Sequence, residues 1–359
     1  MAAPPPRLLH EIVEEILLRL PPDDLACLLR ASLVCKTWGC AVCSPAFRRR
    51  LHERHRTPPV LSFLHNGDNE KIPRFIPTTT SSFYLAAPDR RSWSVLDCRH
   101  GRALFWSKDT NELLVWEPIT GAKRHILVPP SDSPRWPPNA TVICAADGCN
   151  HRDCHGGPFH LVYFFVVVKK GTDDDADEYQ YVTSACLYSS ETDAWGELTS
   201  MHRGFYIDFT FSSSVLVGRS LLYFISDDCR IQEYDLARHG LTMFDPPESK
   251  HNYYDYYGCR FTLMLGEDGS LGLCQAVMLV KDGCSGLSQP VDPHLKLWSR
   301  KASGGTNAQW IVSRVIYLEN LLPEGALVDA AFSLGVFGFA EGTNVIFVVT
   351  AIGLFTIEL

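Results

Sequence analysis

The segment from residue 7 to residue 51 constrains the fold most strongly, because it is rich in apolar residues and yet short. A domain of fewer than about 60 residues buries too little surface to be more than marginally stable. A solvated tail would hold far fewer leucines and isoleucines. We therefore expect a small helical unit that buries one apolar face against something else, either the rest of the chain or a partner protein.

The spacing of apolar residues in this segment predicts three or four short helices. Residues four apart predict an amphipathic first helix, and Pro21 ends it because proline breaks helices. Asp23 or Asp24 suits the N-cap of a second helix, and Ser44-Pro45 is a start signal for the last one. The apolar positions are Leu8, Ile12, Val13, Ile16, Leu17 and Leu20, then Leu25, Leu28 and Leu29, then Leu33, Val34 and Trp38, and finally Phe47 and Leu51.

The run EEILLRLPPDDLACLLRASLVCKTW, followed by SPAFRRR, resembles the F-box, a motif that binds the Skp-type adaptor of cullin ubiquitin ligases. The matching positions are Glu15 to Leu20, Pro21, Asp24-Leu25, Ser32 to Lys36, Trp38 and Ser44-Pro45 through Phe47-Arg48. The family usually opens with Leu-Pro, whereas this chain has Leu8-Leu9. The resemblance implies a three-helix F-box over residues 7–56. The adaptor contacts it implies are Leu8, Ile12, Ile16, Leu20, Pro21, Leu25, Leu28, Leu33, Val34, Cys35 and Trp38.

Composition favours an intracellular protein of more than one domain. The 359 residues have room for one small and one large domain. No apolar run reaches the roughly 18 residues of a membrane span, and the N-terminus lacks the uninterrupted apolar segment of a signal peptide. The 13 cysteines are scattered and odd in number, which favours reduced thiols over a disulfide framework. We expect the protein in the nucleus and/or the cytoplasm, with no membrane partner.

Charge divides the chain into a basic N-terminal part and an acidic remainder. Through residue 60 there are 9 basic and 6 acidic residues, and beyond it 24 and 35. A basic cluster at a predicted helix end, where cations complement the helix dipole, raises the alternative of nucleic-acid binding. The acidic remainder would repel phosphate, so we expect no nucleic-acid partner. The cluster consists of Arg48, Arg49, Arg50, Arg54 and Arg56.

Beyond a predicted linker at residues 57–60, the chain reads as an all-β domain over residues 61–359. Short runs of β-branched and aromatic residues, such as FHLVYFFVVV and NVIFVVT, alternate with Gly, Pro, Asn and Asp turns. A degenerate phrase, an aromatic residue followed by a turn, recurs at irregular intervals. Blades of near 50 residues would give about six blades of a β-propeller, and a β-sandwich is the competing architecture. The phrases begin at Val115, Leu187, Glu233 and Leu297.

These phrases, together with DCRHGRALF and LVWEPITG, resemble the F-box-associated, kelch-like domains of plant F-box proteins. With the N-terminal match, the resemblance covers nearly the whole chain. The fold class it implies is multidomain α and β, with a small helical F-box followed by an all-β, propeller-like domain. The C-terminal run GTNVIFVVTAIGLFTIEL predicts a last strand over residues 354–359, with residues 60–64 as a suggested neighbour that closes the ring.

One cluster has the composition of a metal site. Cys144, Cys149, His151, Cys154 and His155 lie in CAADGCNHRDCHGG. Classical zinc sites use paired ligands two to four residues apart, and no second pair follows here. We therefore interpret the segment as an ordinary connection between strands and expect no metal and no other cofactor. No G-x-S-x-G, H-E-x-x-H or P-loop motif is present, so we expect no enzyme activity.

Two segments resemble recognition loops that would contact a target protein. Tyr253, Tyr254, Tyr256 and Tyr257 lie in HNYYDYYG, and aromatic residues with polar tips are enriched at interfaces. Trp136 lies among prolines in PPSDSPRWPP. The alternative for both segments is ordinary packing at the rim of the β-domain.

The resemblance as a whole implies the substrate-recognition subunit of a Skp-cullin-F-box ubiquitin ligase. Its partners would be a Skp-type adaptor, the cullin and RING subunits indirectly, and an unknown target protein. Two alternatives stay open. One is an adaptor-binding interaction protein with no degradative role. The other is a propeller enzyme with an appended helical domain, which a deep central pocket lined by ionisable side chains would favour.

Overall fold

The computed structural model describes residues 9–21, 25–55, 62–66, 73–77, 92–118, 120–129, 138–149, 151, 154, 156–170, 179–203, 214–226, 229–247, 261–281, 288–301, 308–328, 334–340 and 343–359. The chain divides into two compact units. The first holds helices and one strand pair, and the second is all-β and propeller-like. None of the described helices has the length and apolar character to cross a bilayer.

Four short helices form within the described residues of the first unit, which is the upper of the two numbers predicted from spacing and one more than the three-helix F-box implied by the resemblance. They are α1 (His10–Leu17), α2 (Leu25–Ser32), α3 (Lys36–Cys43) and α4 (Pro45–Arg54). α3 packs against the other three. α4 begins at Pro45 as predicted, although the Ser44 hydroxyl makes no capping hydrogen bond. The expected N-cap of α2, Asp23 or Asp24, lies outside the described residues.

A small apolar core holds these helices together. Its buried side chains come from α1, α3, α4 and the turn after α1, and partly buried side chains from α2, α3, α4 and the same turn pack around them. Because the core is small, this unit is marginal by itself. The fully buried side chains are Val13, Leu17, Leu18, Ala41 and Phe47. The first unit also contains an antiparallel strand pair, β1 (Ser62–His65) with β2 (Arg74–Pro77).

The described residues of the second unit form five antiparallel sheets, which we call blades 1 to 5 in chain order. Blade 1 is β3 (Ser94–Arg99), β4 (Arg102–Ser107), β5 (Glu112–Trp116) and β6 (Lys123–Leu127). Blade 2 is β7 (Asn139–Cys144), β8 (Phe159–Lys170), β9 (Tyr179–Ser189), β10 (Ala194–Trp195) and β11 (Thr199–Arg203). Blade 3 is β12 (Val215–Val217), β13 (Leu221–Ile225), β14 (Ile231–Asp235) and β15 (Gly240–Phe244).

Blade 4 is β16 (Phe261–Leu265), β17 (Leu271–Lys281), β18 (Ser288–Lys301) and β19 (Gln309–Tyr317). Blade 5 is β20 (Gly335–Ala340), β21 (Val345–Thr350) and β22 (Gly353–Glu358). The propeller-like prediction is confirmed, with five blades in the described residues where the arithmetic gave about six. That arithmetic assumed equal blades, whereas β8, β9, β17 and β18 are long and blade 2 alone extends from Asn139 to Arg203.

Alternating side chains of the inner strands of blades 2, 3 and 4 pack against the two neighbouring blades. On β8, Leu161, Tyr163 and Phe165 belong to a core shared with blade 1. The intervening Val162 and Phe164 belong to a core shared with blade 3. A strand buried on both faces needs apolar residues at every position, which explains the uninterrupted run FHLVYFFVVV.

The recurring aromatic phrases mark the same structural position in successive blades. They begin on β5, β9, β14 and β18, which are the third strands of blades 1 to 4. The repeat suggested by the sequence therefore corresponds to a repeated structural unit.

The C-terminal run forms β22 as predicted, but its suggested neighbour was wrong. β22 pairs with β21 through a register that joins Val345 to Glu358. The segment near residue 62 instead pairs with β2. The pattern of apolar residues identified the strand, but it contained no information on which edge the strand would join.

Candidate functional site

Helix α1 carries two apolar stripes, and only one of them is used by the core. Val13 and Leu17 are buried among the other helices. Leu9, Ile12 and Ile16, spaced as one turn-by-turn face of a helix, are exposed. A helix that is apolar on two faces has a second surface left to cover. The exposed stripe therefore has the character of a docking surface.

A second group of exposed apolar side chains follows the end of α2. Leu33 is 77% exposed and Val34 is 64% exposed, and Leu29 one turn earlier is exposed as well. The backbone here is ordered by hydrogen bonds, since the Leu33 amide donates to the Leu29 carbonyl at 3.2 Å and the Val34 amide donates to the Ala31 carbonyl at 3.2 Å. These side chains are thus held on the surface by regular structure.

The implied adaptor contacts fall into two groups by burial. Pro21 and Cys35 are exposed, as are Ile12, Ile16, Leu33 and Val34. Leu20, Leu28 and Trp38 are half-buried and pack against the core of the helical unit. The side chains of Leu8 and Leu25 lie outside the described residues. The exposed residues can therefore contact a partner directly, whereas the half-buried residues pack under them and hold them in position.

Ion pairs between α1 and α4 brace the exposed stripe of α1. Arg50 on α4 binds Glu14 at 2.6 Å and Glu15 at 3.7 Å, and Arg54 lies 3.6 Å from Glu15. His55 is hydrogen-bonded to the Leu18 carbonyl at 3.0 Å. Two arginines of the basic cluster therefore pair with carboxylates of the same unit. Half-exposed pairs of this kind contribute about 0–1 kcal/mol each, and here they fix the relative position of two helices.

The residues predicted to contact a target, Trp136, Tyr253, Tyr254, Tyr256 and Tyr257, lie outside the described residues.

The structure adds a surface in the β-domain that the sequence analysis missed. On β19, which pairs only with β18 among the described strands, Ile311, Val312, Val315 and Tyr317 are exposed. The signal was in the run QWIVSRVIYL, which is apolar at positions of both faces. An exposed apolar edge strand is a site where another chain can add a strand.

The cysteine and histidine cluster is more compact than its spacing indicated. The ligand atoms of Cys144, Cys149, His151 and Cys154 all lie within 4.8 Å of one another. His155 lies outside the described residues. The expectation of no metal was based on the absence of a second closely spaced ligand pair, whereas the fold places Cys144, at the end of β7, beside the other three ligands.

The ring of His100 from blade 1 stacks on the ring of His151, with centroids 4.1 Å apart and planes inclined by 8°. Burial is the main cause that lowers the pKa of His100 to about 3, followed by the electrostatic effects of the neighbouring His151, Arg99 and Arg102. The His100 ring is therefore neutral at physiological pH.

Comparison with known proteins assigns the helical unit. The F-box domain family matches residues 6–50, a span that includes α1, α2, α3 and the start of α4. No curated protein matches the sequence. Among solved structures, the chain is similar to the acylaminoacyl peptidase of Pyrococcus horikoshii in an orthorhombic crystal form, with 10% sequence identity and a TM-score of 0.36. The similarity covers 82% of this chain and 52% of the peptidase, so the chain spans about half of the peptidase's length.

Proposed function

We propose that this chain, with an F-box domain at its N-terminus and a propeller-like β-domain after it, is the substrate-recognition subunit of a Skp-cullin-F-box ubiquitin ligase. The observation that carries the proposal is the F-box match over residues 6–50, on a unit that exposes apolar side chains from ordered helices. The F-box would bind the Skp-type adaptor, which joins it to the cullin and RING subunits. The β-domain would bind the target protein.

Adaptor binding would be driven by burial of the exposed apolar groups. Fully burying a leucine or isoleucine side chain contributes about 1.5–3 kcal/mol. Leu33, Val34, Ile12 and Ile16 are exposed and belong to ordered elements, so little conformational entropy is lost when a partner covers them. We propose these four as the main direct contacts, with Leu20, Leu28 and Trp38 holding them in position from the core.

We propose that the chain acts by positioning a target protein and catalyses no bond formation itself. The chain would bring a target lysine close to ubiquitin that is already activated on another protein, which raises the effective concentration of the two reactants. A β-domain of packed blades suits this role because its buried cores keep the surface rigid. The exposed face of β19 is the target surface that we propose within the described residues.

The finer identity is part of the same proposal. We propose an F-box domain over residues 7–56, a linker at 57–60 and a kelch-like, F-box-associated domain over 61–359, as in plant F-box proteins. Support for the kelch-like identity comes from the aromatic phrases on the third strands of blades 1 to 4. The protein would act in the nucleus or the cytoplasm, where cullin ligases work.

The test is assembly followed by ubiquitin transfer. Coexpression of the full chain with a Skp-type adaptor, a cullin and a RING subunit should give one complex on size-exclusion chromatography. Ubiquitination of a partner captured by the β-domain separates a ligase subunit from an interaction protein with no degradative role. If the chain fails to enter the complex, or if captured partners stay unmodified in an active assembly, the proposal is wrong.

A further inference from the structure

The connection between β7 and β8 folds four potential metal ligands into one small volume. The Sγ atoms of Cys149 and Cys154 are 3.2 Å apart, and Nδ1 of His151 lies 3.6 Å from Sγ of Cys154. Cys144 completes the group, with every pair of ligand atoms within 4.8 Å. The cluster lies in the β-domain, so it is independent of the F-box and of adaptor binding.

A backbone hydrogen bond at the base of the connection and residues with positive φ values bring these side chains together. The Ala145 amide donates to the Pro158 carbonyl at 3.0 Å and closes the neck of the loop. Gly148, His151 and Gly156 have φ values of 66°, 58° and 68°. This left-handed conformation is uncommon for a residue other than glycine. For His151 it is accompanied by a hydrogen bond from its amide to the Cys149 sulfur at 3.4 Å.

A buried ion pair of blade 1 fixes the far side of the loop. Arg102 Nη2 donates to the carbonyl oxygens of Cys154 at 2.7 Å and Gly157 at 2.8 Å. Glu117, which accepts from Arg102, also accepts from the Gly156 amide at 3.1 Å. Cys144 is fixed independently by its pairing with Phe159 in the sheet. Two of the four ligands are thus held in place by the protein itself.

We propose that Cys144, Cys149, His151 and Cys154 bind one zinc ion in a closed, structural Cys₃His site. Tetrahedral zinc with bonds of about 2.3 Å to sulfur and about 2.0 Å to nitrogen has edges of about 3.8 Å between sulfurs and about 3.5 Å between sulfur and nitrogen. The sulfur–nitrogen separation of 3.6 Å matches the tetrahedral edge, whereas the sulfur–sulfur separation of 3.2 Å is about 0.6 Å shorter, so the Cys149 and Cys154 sulfurs would move apart on binding.

The types of ligand atom in the cluster indicate which metal ion it would bind. Three thiolates with one imidazole match zinc, whereas magnesium and calcium require oxygen ligands. Four protein ligands leave no open coordination position, so the site is structural rather than catalytic. On binding, each coordinating thiol releases its proton to solvent, and zinc keeps its oxidation state.

Zinc at this position would fix the β7–β8 connection of blade 2 where it contacts blade 1. His151 stacks on His100 from the turn between β3 and β4, and the Arg102–Glu117 pair also comes from blade 1. The ion would therefore stabilise the contact between two blades as well as the loop.

Metal analysis of the full chain, produced without a histidine tag in zinc-supplemented medium, tests the proposal. Elemental mass spectrometry should find about one zinc ion per chain. Cys149→Ser and Cys154→Ser should lose most of this zinc. Cys229→Ser is the matched control, because Cys229 is half-buried like Cys149, lies in the same domain and is outside the cluster. The Cys229→Ser variant should keep its zinc.

Two further measurements on the wild-type chain test zinc binding if a serine variant folds poorly. Adding a mercurial thiol reagent to the native wild-type chain should release zinc as the cluster cysteines react. Cobalt reconstitution should give thiolate charge-transfer absorption and the d–d bands of a tetrahedral ion. Zinc-free wild-type protein, zinc that survives Cys149→Ser, or a disulfide between Cys149 and Cys154 in protein alkylated without reductant would each overturn the proposal.

Discussion

Arg102 Nε donates to Glu117 Oε1 at 3.0 Å, and both side chains are buried in the β-domain. Removing one partner of a buried pair leaves an uncompensated charge and costs about 3–5 kcal/mol. Arg102 also donates to two backbone carbonyls of the loop before β8. We therefore expect Arg102→Met to lower the free energy of unfolding by about that amount, measured by urea denaturation.

The matched control for this prediction is Lys301→Met, which breaks the ion pair of Lys301 with Asp268. Both of these side chains are about half exposed, and exposed pairs contribute about 0–1 kcal/mol. Equal losses of stability in the two variants would mean that the buried pair does not anchor the loop.

The last strand should be necessary for the stability of blade 5. Ile357 on β22 is 5% exposed and belongs to the core shared by blades 4 and 5. We expect Ile357→Ala to cost about 2–5 kcal/mol through lost burial and the cavity left behind. Deleting residues 354–359 should lower the melting temperature further, because it also leaves β21 without a partner on one side. Both variants are measured by thermal unfolding.

The control for the last strand is Ile352→Ala, since Ile352 is 55% exposed in the adjacent turn. This change should alter the free energy of unfolding by less than about 0.5 kcal/mol. A deletion that keeps the full melting temperature would show that β22 is dispensable.

The exposed apolar face of β19 should make the protein prone to self-association. Val312 and Val315 lie on this strand, beside a bulge at Ser313, whose hydroxyl donates to the Leu297 carbonyl at 3.0 Å. Charged residues on an edge strand oppose unwanted pairing. We expect Val312→Lys with Val315→Lys to reduce aggregation on heating, measured by light scattering.

Val328→Lys provides the comparison for β19, because Val328 is exposed but lies outside any strand. This variant should aggregate as the wild type does. If Val328→Lys suppresses aggregation as much as the double variant does, net charge rather than the strand edge is responsible.

The sequence predicted those features that depend on local pattern. The run FHLVYFFVVV identified a strand, which the structure shows to be buried on both faces, and the aromatic phrases identified equivalent strands. Features that depend on tertiary packing were missed. Periodicity placed Ile12 and Val13 on one broad stripe, and only the packing of α1 separates the exposed residue from the buried one.

The cysteine cluster illustrates the same limit. Cys144 is five residues from Cys149, and Cys149 is five from Cys154, so this cluster contains no pair of cysteines at the spacing of a classical zinc site. The antiparallel pairing of β7 with β8 brings the end of one strand beside the start of the next. Contacts formed in this way are set by strand register, which spacing along the chain does not reveal.

The affinity of the full chain for a purified Skp-type adaptor tests the central claim most directly. Leu33→Ala with Val34→Ala removes the two most exposed apolar side chains among the implied contacts. Truncating buried interface anchors costs about 2 kcal/mol or more, which is about 30-fold in Kd. Leu198→Ala is the matched control, because Leu198 is exposed in the β-domain.

Isothermal titration calorimetry should therefore show binding by the wild type and by Leu198→Ala with the same Kd. The Leu33→Ala, Val34→Ala variant should bind at least about 30-fold more weakly, with its circular dichroism spectrum unchanged. A wild-type chain that does not bind the adaptor, or a double variant that binds it as tightly as the wild type, would contradict this account of the helical unit.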